Sequence, residues 1–220
     1  MKQYGAFDII GPRMVGPSSS HTAGAARLAF VAHRIAGYDV RKVRFTLFGS
    51  FAKTGKGHGT DRALIGGMLG YAPDDIRIRD AYQHAKEAGM EVEFVYSNTA
   101  MPHPNTVRMV ATNGRGEVTE VMGESIGGGS IRITEINGLE VELSGDYPTL
   151  IVEHIDYPGV ISTVTSVLAR RFINIAFMRV FRHAKNATAY MIIETDLPVE
   201  EEVTDEILLS STEVTKVFRV

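Results

Sequence analysis

Leu28, Val31, Ala32 and Ile35 recur three or four residues apart, which predicts an amphipathic helix over residues 20–36 with Gly37 as its stop. Val43, Phe45 and Leu47 then alternate with Lys42, Arg44 and Thr46, the two-residue period of a half-buried strand. A glycine-rich turn is expected over 49–59, and Thr60-Asp61 caps a short helix that runs to residue 69. Residues 78–88 read as a further helix, with Gly89 past its end. After Met90 the pattern turns strand-like, over 91–96, 106–112, 118–122, 131–136 and 139–143. Asn113-Gly114 and Asn137-Gly138 are tight-turn pairs, so hairpins are expected there. This half reads as α+β, with helices early and an antiparallel sheet late.

Ser144-Gly145-Asp146 marks a boundary, giving expected domains 1–145 and 146–220. Beyond it the pattern restarts as β-α-β-β-α-β: strand 149–154, helix 161–171, strands 173–182 and 188–195, helix 203–209, strand 214–220. That is the order of a ferredoxin-like sandwich. The expected fold class is therefore α+β throughout.

The chain has 220 residues, 44% of them hydrophobic, enough for one large or two small cores. A net charge of −3 leaves no basic footprint for nucleic acid. No charged segment followed by an apolar run opens the sequence, so no secretory leader is expected, and no apolar stretch has the length of a membrane span. There is no cysteine, which excludes disulfides, thiol nucleophiles and thiolate ligands from this chain. That composition fits the cytoplasm.

The chemistry concentrates in three segments. Gly16-Pro17-Ser18-Ser19-Ser20-His21-Thr22-Ala23-Gly24 places hydroxyls, an imidazole and free N–H groups at one helix start, an arrangement that attracts a carboxylate or phosphate. A plain N-cap explains one serine; three with His21 and Thr22 exceed capping. Thr54-Gly55-Lys56-Gly57-His58-Gly59-Thr60-Asp61 resembles a phosphate loop but lacks its spacing, and Lys56 is followed by glycine rather than Ser or Thr. A flexible connection is the plainer reading; His58 and Asp61 within it add acid–base capacity. His103 lies between Pro102 and Pro104, beside Asn105 and Thr106, so its backbone is held extended. Gly127-Gly128-Gly129 marks a bulge or a close backbone approach. His21, His58 and His103 have no helical ligand spacing, so a zinc site is not expected. In the second half, Asp156-Tyr157-Pro158-Gly159-Val160 has ordinary turn chemistry and is also a candidate small-ligand loop.

On Ser18-Ser19-Ser20-His21-Thr22-Ala23-Gly24, with Gly57-His58-Gly59-Thr60-Asp61 and His103-Pro104-Asn105-Thr106, the chain resembles the β-subunit family of the iron–sulfur-dependent bacterial L-serine dehydratases along its full length. Residues from about 147 to 220 resemble an ACT domain, and the first part resembles the allosteric substrate-binding module of some phosphoglycerate dehydrogenases. The resemblance implies conversion of L-serine to pyruvate and ammonia, with a [4Fe–4S] cluster held by cysteines of a partner α subunit. It implies catalytic roles for His21, His58 and Asp61, with Asp61 fixing the tautomer of an imidazole. Ser18, Ser19, Ser20, Thr22, His103, Asn105 and Thr106 are then substrate-binding, with carboxylate recognition by Ser19, Ser20 and Thr22. Asp156, Gly159 and Val160 are effector-binding, and two β chains pair through the ACT-like domain. A purely regulatory, amino-acid-binding subunit is the alternative. A self-sufficient serine hydrolase is disfavoured, because no Gly-x-Ser-x-Gly elbow precedes a helix.

Overall fold

Residues 14–220 are described by a computed structural model; the opening segment, on which the expectation about a leader falls, lies outside them. The first predicted helix starts as a single π-helical turn, Ser19–Gly24, and continues as α1, Ala25–Ala36. Leu28, Val31, Ala32 and Ile35 are all buried, and Gly37 ends the helix in the left-handed region at φ 92° with its N–H on His33 O. Strand β1, Val40–Leu47, buries Val43, Phe45 and Leu47 as the alternation requires.

The stretch expected to be a glycine-rich turn is instead helix α2, Gly49–His58, followed at once by α3, Thr60–Met68. Glycine weakens a helix interior, but tertiary contacts outweigh that cost here. Phe51 is wholly buried, and Pro104 O accepts the N–H groups of Ser50 (2.6 Å) and Phe51 (3.4 Å) at the helix start. The positive-φ glycines sit only at the ends, Gly49 at 52° and Gly59 at 73°. A methyl on Gly67 would lie 2.1 Å from Ala26 O, so this glycine lets the backbones of α1 and α3 touch.

A 3₁₀ turn, Ile76–Asp80, leads into α4, Ala81–Glu87, and then β2, Glu91–Tyr96. Strands β3, Thr106–Asn113, β4, Val118–Gly127, and β5, Ser130–Ile136, complete the first unit in the order β2-β1-β3-β4-β5. The sheet is not wholly antiparallel as expected: β1 pairs with β2 in parallel, Phe45 opposite Phe94. The helices between the two strands provide the crossover that parallel pairing needs. The remaining pairs are antiparallel.

The chain divides into two compact units, Met1–Asn137 and Gly138–Val220, upstream of the boundary read from the sequence. The second holds β6, Leu139–Leu143, then β7, Thr149–Ile155, α5, Val160–Arg170, β8, Ile175–Arg182, β9, Thr188–Thr195, α6, Glu201–Leu209, and β10, Val214–Arg219. Its four-stranded sheet runs β10-β7-β9-β8 with every pair antiparallel, the ferredoxin-like arrangement. Leu150, Val152, Met191 and Ile193 of the sheet pack against Val164, Val167 and Leu168 of α5 and Val203 and Ile207 of α6. Among the described residues no helix is long and apolar enough to cross a membrane.

Candidate functional site

The π turn is held from both ends. Ser18 Oγ accepts the N–H of His21 at 3.2 Å, and Ser18 O accepts the N–H of Thr22 at 2.9 Å and its hydroxyl. From the sheet, Ser125 Oγ donates to Ser20 O at 2.9 Å. A methyl on Gly24 would lie 2.0 Å from that same Ser125 Oγ, so the turn rests directly on β4.

This fixes His21. Its Nε2 lies 3.1 Å from Ser50 Oγ and 3.2 Å from Thr54 Oγ1, one turn apart on α2, and its Nδ1 lies 3.4 Å from Ser18 Oγ. The Thr54 hydroxyl donates its proton to Ser50 O at 3.0 Å, so towards His21 it can only accept. His21 therefore carries its proton on Nε2 and a lone pair on Nδ1. Burial pushes its pKa down, the charge of His58 pushes the same way, and a hydrogen bond to the Ser50 backbone opposes them. The imidazole is accordingly neutral at neutral pH.

The His58 ring stands 4.9 Å from that of His21, centroid to centroid. Its Nδ1 lies 2.9 Å from Thr54 O, a carbonyl that only accepts, so Nδ1 bears a proton. The site thus holds one imidazole that directs Nε2 at the hydroxyls of α2 and one that directs Nδ1–H at a backbone carbonyl. The expected role of Asp61 needs correction. It accepts from Tyr82 Oη at 2.8 Å and bonds no imidazole among the described residues; Thr54 O sets the His58 tautomer instead. Burial and the Asp61 hydrogen bond push the Tyr82 pKa up, keeping the phenol protonated.

The other predicted residues fall into two groups. The hydroxyls of Ser19 and Ser20 make no hydrogen bond among the described residues and stay available to a ligand. Thr22 and Thr106 spend their hydroxyls on backbone, on Ser18 O and on His103 O (2.7 Å) respectively, so neither side chain offers a free donor. His103 Nδ1 accepts the N–H of Asn105 at 3.2 Å, and Asn105 Nδ2 donates to Ser125 O at 3.3 Å, leaving Asn105 Oδ1 buried with no partner among the described residues. The His103–Thr106 segment therefore braces α2 through Pro104 O and β4 through Ser125.

Sequence reasoning missed Ser50 and Ser125, and gave Thr54, the first residue of a quoted segment, no role of its own. Ser50 and Thr54 have i, i+4 spacing, a signal hidden by treating their segment as a turn. Ser125 lies in a strand far along the chain and gives no local signal. A cavity of about 320 Å³ also opens beside this cluster, lined by Gly16, Thr22, His58, Arg62, Ile78 and Arg79 among others. The predicted effector residues belong to the second unit. Asp156 accepts from Arg182 at 2.5 Å, and that hydrogen bond holds its carboxyl below the usual range. Gly159 starts α5 at φ 98°, while the Val160 side chain is part of the apolar core and turned away from any ligand. Among the described residues no three His, Asp or Glu side chains converge as metal ligands.

The family described as "Serine dehydratase beta chain" matches residues 6–135, and "AHAS small subunit-like ACT domain" matches residues 150–216. A protein named "Probable L-serine dehydratase, beta chain" from Bacillus subtilis is 45% identical over 219 residues, 99% of each chain. "L-serine dehydratase, beta chain" from Peptoniphilus asaccharolyticus is 44% identical over 209 residues, 94% of each chain. A D-3-phosphoglycerate dehydrogenase from Synechocystis sp. is 26% identical over 184 residues, 83% of this chain and 33% of that protein. With a family match over more than half its length and near-complete alignment to two such subunits, this chain belongs to the serine dehydratase β-chain family.

Proposed function

We propose that this chain is the β subunit of a two-chain, cytoplasmic L-serine dehydratase, which turns L-serine into pyruvate and ammonia with an α subunit that carries a [4Fe–4S] cluster. The observation that supports it most is His21, held between Ser50, Thr54 and Ser18 on the turn that also carries Ser19 and Ser20, whose hydroxyls bond nothing among the described residues. The cluster does not fit on this chain: there is no cysteine, and among the described residues no three-ligand group exists.

The reaction removes the α-proton and the β-hydroxyl of serine to give aminoacrylate, which water hydrolyses to pyruvate and ammonia. This chain's share is to bind and orient. Ser19 and Ser20 hydrogen-bond the substrate, Nε2–H of His21 is a donor in the same cluster, and Nε2 of His58, which bonds nothing among the described residues, faces the substrate. Residues 1–145 form the dehydratase module and 146–220 the ACT-like one. Pairing of two β chains through β8 is supported by Phe177, Met178 and Val180, all exposed on an edge strand.

A purely regulatory subunit is the second reading. It draws on the ACT-like unit and on the Asp156–Gly159 turn, fixed by Arg182 at the start of α5. The two are separated by coexpressing the α subunit with His21→Ala or Ser20→Ala and assaying without oxygen. Turnover by His21→Ala falls about 100-fold or more at normal iron content. Full turnover with altered serine cooperativity overturns the catalytic reading in favour of regulation.

A further inference from the structure

We infer that Arg62 and Arg79 form a carboxylate clamp in the cavity beside His58 and take the carboxylate of the substrate, a small amino or hydroxy acid. The inference rests on the proposed dehydratase reading for the identity of that acid. The clamp itself rests on the cavity.

Two guanidinium groups line one cavity of about 320 Å³, at the lower end of the ~300–1,000 Å³ typical of small-molecule sites. Neither makes an ion pair among the described residues, unlike Arg44, Arg77, Arg132 and Arg182, each within 2.7 Å of a carboxylate. The contrast is local. Arg77, two residues from Arg79 on the same 3₁₀ turn, is held by Asp75; Asp61, next to Arg62, is taken by Tyr82. Two like charges facing one space repel unless an anion sits between them, and guanidinium binds a carboxylate through paired N–H donors. Gly57 and Gly59 also line the cavity, and a methyl added at either would meet nothing within 4 Å.

His58 belongs to both places. It lines the cavity, and its ring lies 4.9 Å from His21. A carboxylate gripped by the arginines leaves the rest of a three-carbon acid beside the free Nε2 of His58.

The test is calorimetric titration of the full chain, and of its complex with the α subunit, with L-serine, glycolate, L-serinamide and inorganic phosphate. L-serine and glycolate bind and L-serinamide does not. Arg62→Gln and Arg79→Gln each weaken glycolate binding about ten-fold or more, the double variant about a hundred-fold. Arg62→Lys recovers part of the loss, because it keeps charge without the paired donors. In the complex the same variants raise KM for L-serine more than they lower kcat. Both arginines are exposed, so the variants fold, which an unchanged melting temperature verifies. Wild-type glycolate binding in the double variant overturns the clamp, as does binding of phosphate with no binding of glycolate. An active complex whose KM ignores both arginines removes the clamp and leaves the dehydratase reading standing. Arginine-dependent glycolate binding in a complex that never turns over serine does the reverse.

Discussion

Replacing Gly24 by alanine sets two well-defined effects against each other. Gly24 has helical angles, φ −64° and ψ −40°, at the join of the π turn and α1. Considered alone, alanine there stabilises a helix by about 0.5–1 kcal/mol. In the folded protein the new methyl would lie 2.0 Å from Ser125 Oγ and 2.8 Å from Ser125 Cβ, both inside contact distance. Relief by moving the serine breaks its 2.9 Å bond to Ser20 O, worth about 0.5–1.5 kcal/mol. Relief by moving the turn strains a close-packed region at about 1–3 kcal/mol. The overpacking wins, so Gly24→Ala destabilises by about 1–3 kcal/mol, and the melting temperature drops by about 2–10 °C. Denaturant or thermal unfolding measures this. Turnover of the complex with the α subunit falls as well, because the turn carries His21. Ser125→Gly in the same chain removes both clashing atoms and recovers stability relative to Gly24→Ala alone. A Gly24→Ala chain as stable as the parent, or one that Ser125→Gly worsens additively, refutes the reasoning.

Two further outcomes concern stability. Gly67→Ala forces α1 and α3 apart, since its methyl would sit 2.1 Å from Ala26 O and 2.8 Å from Ala29 Cβ; a loss of about 2–4 kcal/mol in denaturant unfolding is expected, and an unchanged midpoint contradicts the close approach. Burial holds both His21 and His33 below their unfolded pKa of about 6.5. Stability from these groups is then full above that pH. As pH falls through about 6.5 the unfolded chain binds their protons first, and stability drops until the folded pKa values are passed. Melting temperatures between about pH 7.5 and 5.5 decline accordingly and decline less in His33→Gln; a flat parental profile counts against it.

Much of this protein is legible in its sequence because its elements satisfy local rules. The period of Leu28, Val31, Ala32 and Ile35 makes α1 amphipathic whatever it packs on, and Gly37 ends it because the left-handed angle there suits glycine. The β-α-β-β-α-β order of the second unit follows from the same periodicities. The glycine-rich segment did not yield to local rules. Its intrinsic preference is for a turn, and only the burial of Phe51 and the Pro104 carbonyl, distant in sequence, make it α2.

The candidate site divides in the same way. Side chains rich in acid–base and hydrogen-bonding capacity are visible in any sequence, and His21, His58, Ser19 and Ser20 stand out as such. Which of them are free depends on partners that sequence does not reveal. Thr22 and Thr106 turn their hydroxyls to backbone, Asp61 is taken by Tyr82, and Ser50, Thr54 and Ser125 enter the site from elements far along the chain. The periodic elements, the absence of thiolate ligands and the residue types available for chemistry follow from the amino-acid order alone, because each depends on composition or on neighbours a few positions apart. The helix at the glycines, the hydrogen bonds of two imidazoles and, among the described residues, the lack of an ion pair at Arg62 and Arg79 beside His58 arise on folding, because hydrogen bonds and ion pairs are set by distance in space, and folding alone fixes that distance.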